Sequence, residues 1–217
     1  MQFDRSLNTI KKAKQRGLIP LLCFVCWCFA RVFLNTFRFS FFLRFVFQRH
    51  DFSIFRLYKE LEKYYDVYII TQNVDDLHER AGSSRVLHLH GELMKVRTIE
   101  EPTQVYTLDE EHLETTPDST DAQGRHLRPH IVFFQEAVPN IERAVEWTAE
   151  ADVFVVIGTS LAVYPAASLL HYVRAGVPVY YIDPNPAPVG SNVTVIRKGA
   201  SEGIAELAEI LGKSLQN

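Results

Sequence analysis

From about residue 51 onward, short apolar runs alternate with stretches in which apolar residues recur at helical spacing. The run Val67–Ile70 is wholly apolar, and Val153–Ile157 repeats the pattern. Runs of this kind predict strands that are covered on both faces of a sheet. Further strands are predicted at residues 131–134, 177–182 and 193–196.

Amphipathic helices are predicted between these strands. In the first of them, Ile54, Leu57 and Leu61 share one face, and Asp66 ends the helix. Later helices are predicted at residues 140–150, capped by Asn140, at residues 165–175, and at residues 202–215, capped by Ser201. Because strands and helices alternate, the sequence predicts an α/β fold with a parallel sheet.

The composition changes near residue 50. Eleven of the fifteen phenylalanines lie between Phe24 and Phe55, and arginine and cysteine are frequent in the same stretch. A shift of this kind marks a boundary between segments of different origin or environment. We therefore divide the chain into an anomalous segment, residues 1–50, and a domain that spans residues 51–217.

Three interpretations of residues 1–50 are open. Basic residues at 11–16 followed by the apolar run Leu18–Ala30 resemble a signal peptide or membrane anchor, but Arg31 ends the run before the roughly 20 apolar residues of a membrane span. The segment could instead be an unusual folded region. We favour a third interpretation, in which the segment does not derive from the ancestral reading frame, since its apolar residues lack consistent amphipathicity.

The net charge and the cysteine content indicate which partners, compartment and metal sites the sequence supports. The net charge of −3 gives no electrostatic reason to expect a nucleic-acid partner. All three cysteines lie within residues 23–28, too close together for a disulfide framework, and this favours a cytoplasmic location. Cys23 and Cys26 have no second Cys or His pair nearby, so no zinc site is predicted there.

Polar residues follow three of the predicted strands. They are Thr71–Asp75, Gly158–Ser160 and Asp183–Asn185. In an open α/β sheet, ligands bind beyond the carboxyl ends of the strands. The backbone N–H groups and hydroxyls of a Gly-Thr-Ser turn suit a phosphate or a ribose. The sequence therefore predicts a ligand site at this edge.

A series of motifs extends beyond these clusters. Thr71-Gln72-Asn73-Val74-Asp75, Leu89-His90-Gly91, Pro129–Phe134 and Gly158–Ala166 occur in the order and spacing found in the sirtuins. Over roughly residues 57–212, the chain resembles this family of NAD-dependent protein lysine deacylases. The resemblance implies a Rossmann-like parallel sheet of the sirtuin type.

The resemblance also implies site residues. His90 would act as the general base, and Asn73 would position the ribose and a water molecule. The residues that bind the NAD cofactor would be Gln72, Asn73, Val74, Asp75, Gly158, Thr159, Ser160, Asp183, Pro184, Asn185 and Ala200. An acylated lysine peptide would add as a strand against Val132, Phe133, Phe134, Val163 and Tyr164. We interpret His78 and His88 as surface or packing residues.

The chain departs from the family pattern at several points. Sirtuins carry a Gly-Ala-Gly-x-Ser loop after their first strand, whereas Gly17 is the one glycine among residues 1–50. We therefore expect the first strand and the cofactor loop to be missing. Residues 92–130 lack the cysteines with which many sirtuins bind zinc, so we predict a bacterial, zinc-free type and no metal. Gln135 stands where the family usually has glycine, and its side chain could disturb the turn.

The function implied is the removal of acyl groups from protein lysines, with transfer to ADP-ribose and release of nicotinamide. One alternative is an inactive remnant that binds acyl-peptides without consuming NAD, which a nicotinamide-release assay would distinguish. Another is a membrane-tethered or exported protein that uses Leu18–Ala30, which cell fractionation would detect. The sequence indicates neither the acyl group nor the oligomeric state.

Overall fold

The computed structural model of the chain describes residues 20–25, 53–109 and 115–212. The elements are β1 (Pro20–Val25), α1 (Ser53–Leu61), β2 (Asp66–Thr71), α2 (Leu77–Arg80), β3 (Val86–His88), β4 (Gly91–Thr98), β5 (Val105–Thr107), β6 (Leu127–Ile131), α3 (Ile141–Glu150), β7 (Val153–Ile157), a 3-10 helix (Ala166–Tyr172), β8 (Val179–Ile182), β9 (Val193–Ile196) and α4 (Ala200–Ile210). None of the helices in these ranges has the length and apolar character that crossing a membrane requires.

Six parallel strands form the main sheet, in the order β3-β2-β1-β7-β8-β9. This is the strand order 3-2-1-4-5-6 of dinucleotide-binding α/β folds. The chain winds outward in one direction from β1 and in the other from β7, so the topological switch point lies between these two strands. The predicted α/β class and the Rossmann-like parallel sheet are confirmed.

The expectation that the first strand is missing is wrong. Strand β1 lies at the centre of the sheet, where Val25 pairs with Thr71 on one side and with Ile157 on the other. A continuous apolar run is typical of a central strand in a parallel sheet, and Leu21–Val25 is such a run. The basic residues 11–16 and the remainder of residues 1–50 lie outside the described residues.

Two apolar layers cover the faces of the sheet, and β7 contributes to both. Val153, Val155 and Ile157 pack in the layer that contains α1 and α4. Phe154 and Val156 pack in the layer that contains α3 and the 3-10 helix. All five side chains are buried, as predicted for a strand covered on both faces. Burial of each such side chain contributes about 1.5–3 kcal/mol to the hydrophobic stabilisation.

A small second sheet is inserted between β3 and α3. It is antiparallel, with the order β5-β4-β6. Beside it, Arg125 donates hydrogen bonds to Asp121 (2.7 Å), Glu101 (2.8 Å) and Gln104 (2.6 Å). The acidic stretch at residues 100–126, predicted as a loop or small module, is thus a small module in its described residues.

The strand predicted at 131–134 lies four residues earlier, as β6. The residues of β6 are half-buried except for Ile131, and Phe134 beyond the strand is 95% exposed. The prediction followed the most apolar run, whereas a strand of a small antiparallel sheet is not buried on both faces and therefore needs no such run. The helix predicted at 165–175 is the 3-10 helix, and Gly176, with φ +86°, follows it.

Of the two predicted helix caps, Asn140 is right in position but makes no capping hydrogen bond, and Ser201 is wrong. Asn140 occupies the N-cap position of α3, but its Nδ2 donates to the carbonyl oxygen of His88 (2.8 Å) instead of capping the helix. Ser201 lies inside the first turn of α4, and Gly199 occupies the cap position. The hydrogen bond from Asn140 to His88 fixes the loop before α3 against the end of β3.

Candidate active site

Three predicted polar clusters lie at one edge of the main sheet. Because Val25 pairs with both Thr71 and Ile157, and Ile157 pairs with Ile182, strands β2, β7 and β8 end in one row. The residues that follow this row are Gln72–Asp75, Gly158–Ser160 and Asp183–Asn185. This carboxyl edge includes the switch point between β1 and β7, where open α/β sheets bind dinucleotides. Ala200, the remaining predicted cofactor residue, begins α4.

His90 joins β3 to β4 beside this edge and is half-buried. Its Nδ1 lies 3.2 Å from the backbone carbonyl oxygen of Gln72. Its own carbonyl oxygen accepts a hydrogen bond from the N–H of Val132 (2.9 Å). His90 is therefore fixed between the turn after β2 and the residues after β6.

The backbone geometry at position 91 explains why a glycine follows His90. Its φ is +83°, and a Cβ at this position would overlap the carbonyl oxygen of His130 and lie 2.8 Å from Cα of Ile131. Only a residue without a side chain lets β4 approach β6 this closely. The His90-Gly91 pair thus places an imidazole next to the point where the backbones of β4 and β6 lie close together.

The imidazole of His90 is held in a form suited to accepting a proton. A carbonyl oxygen can only accept, so Nδ1 carries the proton of the neutral ring and Nε2 keeps its lone pair. Burial lowers the pKa of His90, and the hydrogen bond to Gln72 opposes this in part. The neutral ring therefore prevails at and somewhat below neutral pH.

The turn after β2 is ordered by its own hydrogen bonds. The backbone N–H of Asn73 donates to Oγ1 of Thr71 (3.0 Å), and the N–H of Leu77 donates to Oδ1 of Asp75 (3.3 Å). Gln72 is buried, whereas Asn73, Val74 and Asp75 are half-buried. The turn thus keeps an amide and a carboxylate partly accessible at the edge of the sheet.

The second and third clusters are tied together by Tyr181. Its hydroxyl donates to the carbonyl oxygen of Thr159 (2.6 Å) and accepts from the N–H of Ala187 (3.1 Å). Gly158 has a φ of +61° and Leu161 a φ of +55°, so this turn uses the left-handed region twice. One buried hydroxyl therefore fixes the turn after β7 to the loop after β8.

The residues predicted to contact an acyl-peptide form two exposed groups. Phe133 and Phe134 follow β6, with Val132 half-buried before them, and Val163 and Tyr164 precede the 3-10 helix. Their role as peptide contacts stays a prediction.

The interpretation of His78 as a surface or packing residue is confirmed, since its side chain lies in the core. His78 is fully buried and packs against the rings of Phe55 and Tyr58, and burial lowers its pKa to about 4. It is a packing residue and not a surface residue.

His88 is buried but makes two polar contacts through its ring. Its Nδ1 lies 2.9 Å from the carbonyl oxygen of Asn73, and its Nε2 lies 2.9 Å from Oε1 of Glu79. The sequence indicated only a surface or packing role for His88 and no role for Glu79. One signal could have indicated a role for His88. It is the last residue of a strand, and the predicted site lies at the carboxyl ends of the strands.

One cluster of metal-ligand types occurs in the described ranges. It consists of Glu79, His88 and Glu92, whose ligand atoms lie within 4.8 Å of one another. Both ring nitrogens of His88 already face oxygen acceptors, so a proton on each nitrogen accounts for this geometry without an ion. The predicted absence of metal stays a prediction.

A comparison with known proteins matches the Sir2 family model to residues 30–165. An NAD-dependent protein deacylase of Bacteroides thetaiotaomicron is 52% identical over 160 residues, covering 71% of this chain and 68% of that protein. The protein of the same name from Helicobacter pylori is 48% identical over 150 residues, covering 68% of this chain and 64% of that protein. The chain thus spans about two thirds of the length of these curated relatives.

Solved structures show the same relationship. A Sir2 homologue in complex with ADP-ribose superposes with a TM-score of 0.76 at 30% identity, over 95% of each chain. A complex of a Sir2 homologue with NAD gives a TM-score of 0.74 at 28% identity, over 96% of this chain and 93% of that one. Together with the family match, these similarities show that the chain belongs to the Sir2 family, the sirtuins.

Proposed function

We propose that this chain is an NAD-dependent deacylase that acts on acylated lysine in proteins or peptides. The observation that carries the proposal is the placement of His90 beside the turn at residues 72–75, with its Nδ1 bound to the carbonyl oxygen of Gln72. The names of the curated relatives and the NAD and ADP-ribose complexes of the structural neighbours support it.

The residues at the carboxyl edge fit NAD. The turns after β2, β7 and β8 end in one row at the switch point, and they offer an amide, a carboxylate and backbone N–H groups. Gln72, Asn73, Val74 and Asp75 would hold the nicotinamide ribose side, while Gly158–Ser160, Asp183–Asn185 and Ala200 would hold the adenosine side. NAD, when bound, supplies the ribose carbon that accepts the acyl oxygen as nicotinamide leaves.

The protein's own part in the reaction is proton transfer and positioning. With its Nδ1 proton bound to Gln72, His90 can accept a proton at Nε2 from a ribose hydroxyl. The side chain of Asn73 would orient that ribose and a water molecule. Phe133, Phe134, Val163 and Tyr164 would bound the channel for the acyl-lysine, and the peptide would pair with the backbone beside them.

The test is turnover of the full chain with NAD and a peptide that carries one acyl-lysine. Nicotinamide is measured by chromatography and the peptide mass by mass spectrometry, for a series of acyl groups. Removal of a general base costs about 100-fold or more in rate, so His90→Asn is expected to lower kcat to that extent. His171→Asn, the same change at an exposed histidine of the 3-10 helix, is expected to have no effect.

One outcome would overturn the proposed activity. It is a wild-type chain that binds the acyl-peptide but releases no nicotinamide with any acyl group, since this is the behaviour of a binding module. A His90→Asn variant that retains wild-type turnover would instead overturn the role of His90, because the proton acceptor would then be another group.

A further inference from the structure

His88 lies one residue before Leu89 and two before His90, and its side chain is 5% exposed. Its backbone is fixed by pairing with Thr71 and by the hydrogen bond from Asn140 to its carbonyl oxygen. Its ring faces away from bulk water, between the Asn73 carbonyl oxygen and the Glu79 carboxylate. A buried imidazole with a partner on each nitrogen is more than a packing residue.

Both nitrogens of the His88 ring carry protons. A backbone carbonyl oxygen can only accept, and so can an ionised carboxylate, so each of the two contacts at 2.9 Å requires an N–H on the ring. Burial raises the pKa of Glu79, but the hydrogen bond and charge of His88 outweigh it, so the carboxylate is ionised. Burial lowers the pKa of His88, and Glu79 more than reverses this, so the pKa is raised, which favours the doubly protonated ring that the two contacts require.

This charged ring fixes one side of the Asn73 peptide. The carbonyl oxygen of Asn73 accepts from Nδ1 of His88, while its N–H donates to Oγ1 of Thr71. Both backbone polar groups of Asn73 are thereby bound. A hydrogen bond from a charged donor is about twice as strong as a neutral one, so His88 is a more rigid support than a water molecule would be.

We propose that His88, held by Glu79, is the positioning residue that sets the orientation of Asn73 at the nicotinamide ribose. The inference rests on the proposed function, because it assigns Asn73 to that reaction. In this role His88 would act through Asn73, because its buried ring faces Asn73 and Glu79. Its contribution is to keep the Asn73 backbone in one conformation while the reacting groups come together.

Two isosteric substitutions separate the two contacts of the ring. The amide nitrogen of asparagine can occupy the place of Nδ1, and that of glutamine the place of Nε2. His88→Asn keeps a donor for the Asn73 carbonyl and loses Glu79, whereas His88→Gln does the reverse. We expect kcat to stay within about threefold in H88N and to fall about tenfold or more in H88Q, with the peptide KM within about twofold in both.

A second readout does not depend on turnover. Amide hydrogen exchange across residues 72–77 is measured without NAD, at a temperature where circular dichroism shows all proteins folded. Exchange is expected to accelerate in H88Q and to remain near the wild-type rate in H88N. Should H88Q fail to fold, Glu79→Ala takes its place. Without Glu79 a neutral His88 ring can carry its proton on Nε2 and lose the donor to Asn73, which the asparagine amide of H88N retains, so kcat is expected to fall about fivefold and exchange to accelerate.

The outcomes separate the two proposals. A wild-type chain without turnover contradicts the proposed function, and the exchange data then decide the role of His88. Equal losses of kcat and equal exchange in H88N and H88Q would overturn the inference, because a purely structural histidine gives that result. Loss of wild-type turnover on adding EDTA would also overturn it, because Glu79, His88 and Glu92 would then hold a cation.

Discussion

The backbone carbonyl oxygen of Gln72 lies 3.2 Å from Nδ1 of His90, and this contact alone assigns the tautomer of the ring. Residues from two different turns are involved, one after β2 and one after β3. The predicted base is therefore oriented by the same segment that carries the predicted ribose-binding residues. A shift of that segment would alter the base and the cofactor contacts together.

The pH dependence of turnover follows from this environment. Burial lowers the pKa of His90 below its ordinary 6.5, and the base must be neutral to act. As pH falls, the neutral form of the ring remains the major form to below pH 6.5. The acid limb of kcat/KM is therefore expected to have its midpoint below that value. Steady-state rates of the full chain from about pH 5 to about pH 8 measure it. A midpoint above 6.5, or one that moves in His171→Asn, would contradict the assignment.

Gly91→Ala is expected to be strongly destabilising. The new Cβ would overlap the carbonyl oxygen of His130 and would sit on a residue with φ +83°. We expect the free energy of unfolding in urea to fall by about 2–4 kcal/mol. Gly124→Ala is the matched control, because Gly124 has φ +76° but nothing within 4 Å of its Cβ position. It should cost only about 1–2 kcal/mol of backbone strain, and equal losses in the two variants would remove the steric explanation.

Tyr181→Phe tests the link between the turn after β7 and the loop after β8. It removes the hydrogen bonds to Thr159 and from Ala187, so the free energy of unfolding should fall by about 1–3 kcal/mol. The KM for NAD should rise, since both predicted adenosine-side loops lose a common support. Tyr180→Phe is the control, because Tyr180 is equally buried and its hydroxyl makes no hydrogen bond to the described residues. Equal effects of the two substitutions would exclude a specific role for Tyr181.

Gln135→Gly is expected to be stabilising. Gln135 has a φ of +73°, a left-handed conformation that costs a non-glycine residue about 1–2 kcal/mol. Glycine removes this strain but loses about 0.5–1 kcal/mol of chain entropy on folding, so a net gain of about 0.5–1 kcal/mol is expected. Gln123→Gly, at an exposed position without positive φ, should instead lose stability. Thermal unfolding of both variants decides the sign.

The sequence indicated that the long side chain of Gln135 could disturb the turn, and this stays a prediction. Gln135 has a left-handed backbone and an exposed side chain. The position therefore bears on backbone energy, which the substitution by glycine measures.

Several strands of the main sheet could be predicted from the sequence. Val153–Ile157 and Val193–Ile196 have the predicted bounds, and β2 extends the predicted strand by one residue at each end. Apolar runs report burial, which holds throughout β7, whereas in β9 only Ile196 is buried. The same rule misplaced β6, because the most apolar residues after Ile131 are exposed and the strand itself is half-buried.

Side-chain contacts between distant parts of the chain could not be predicted from the sequence. Asn140 has the chemistry of a cap and sits at the cap position, yet its amide reaches the carbonyl of His88. The pair of His88 and Glu79 joins the end of β3 to α2, and no local pattern signals it. The motif residues were found because a family resemblance marks them, whereas the residues that support them are visible only in three dimensions.

Strand β1 has a further consequence for how the chain assembles. It alone joins the β2–β3 pair to the β7–β8–β9 group within the described sheet. Its partners lie far along the chain in both cases, so closing the sheet is an event of high contact order and is expected to be slow. Until β1 docks, strands β2 and β7 present open edges, and an open apolar edge is a template for pairing with another chain. Loss or late docking of this one strand would therefore appear first as aggregation during expression.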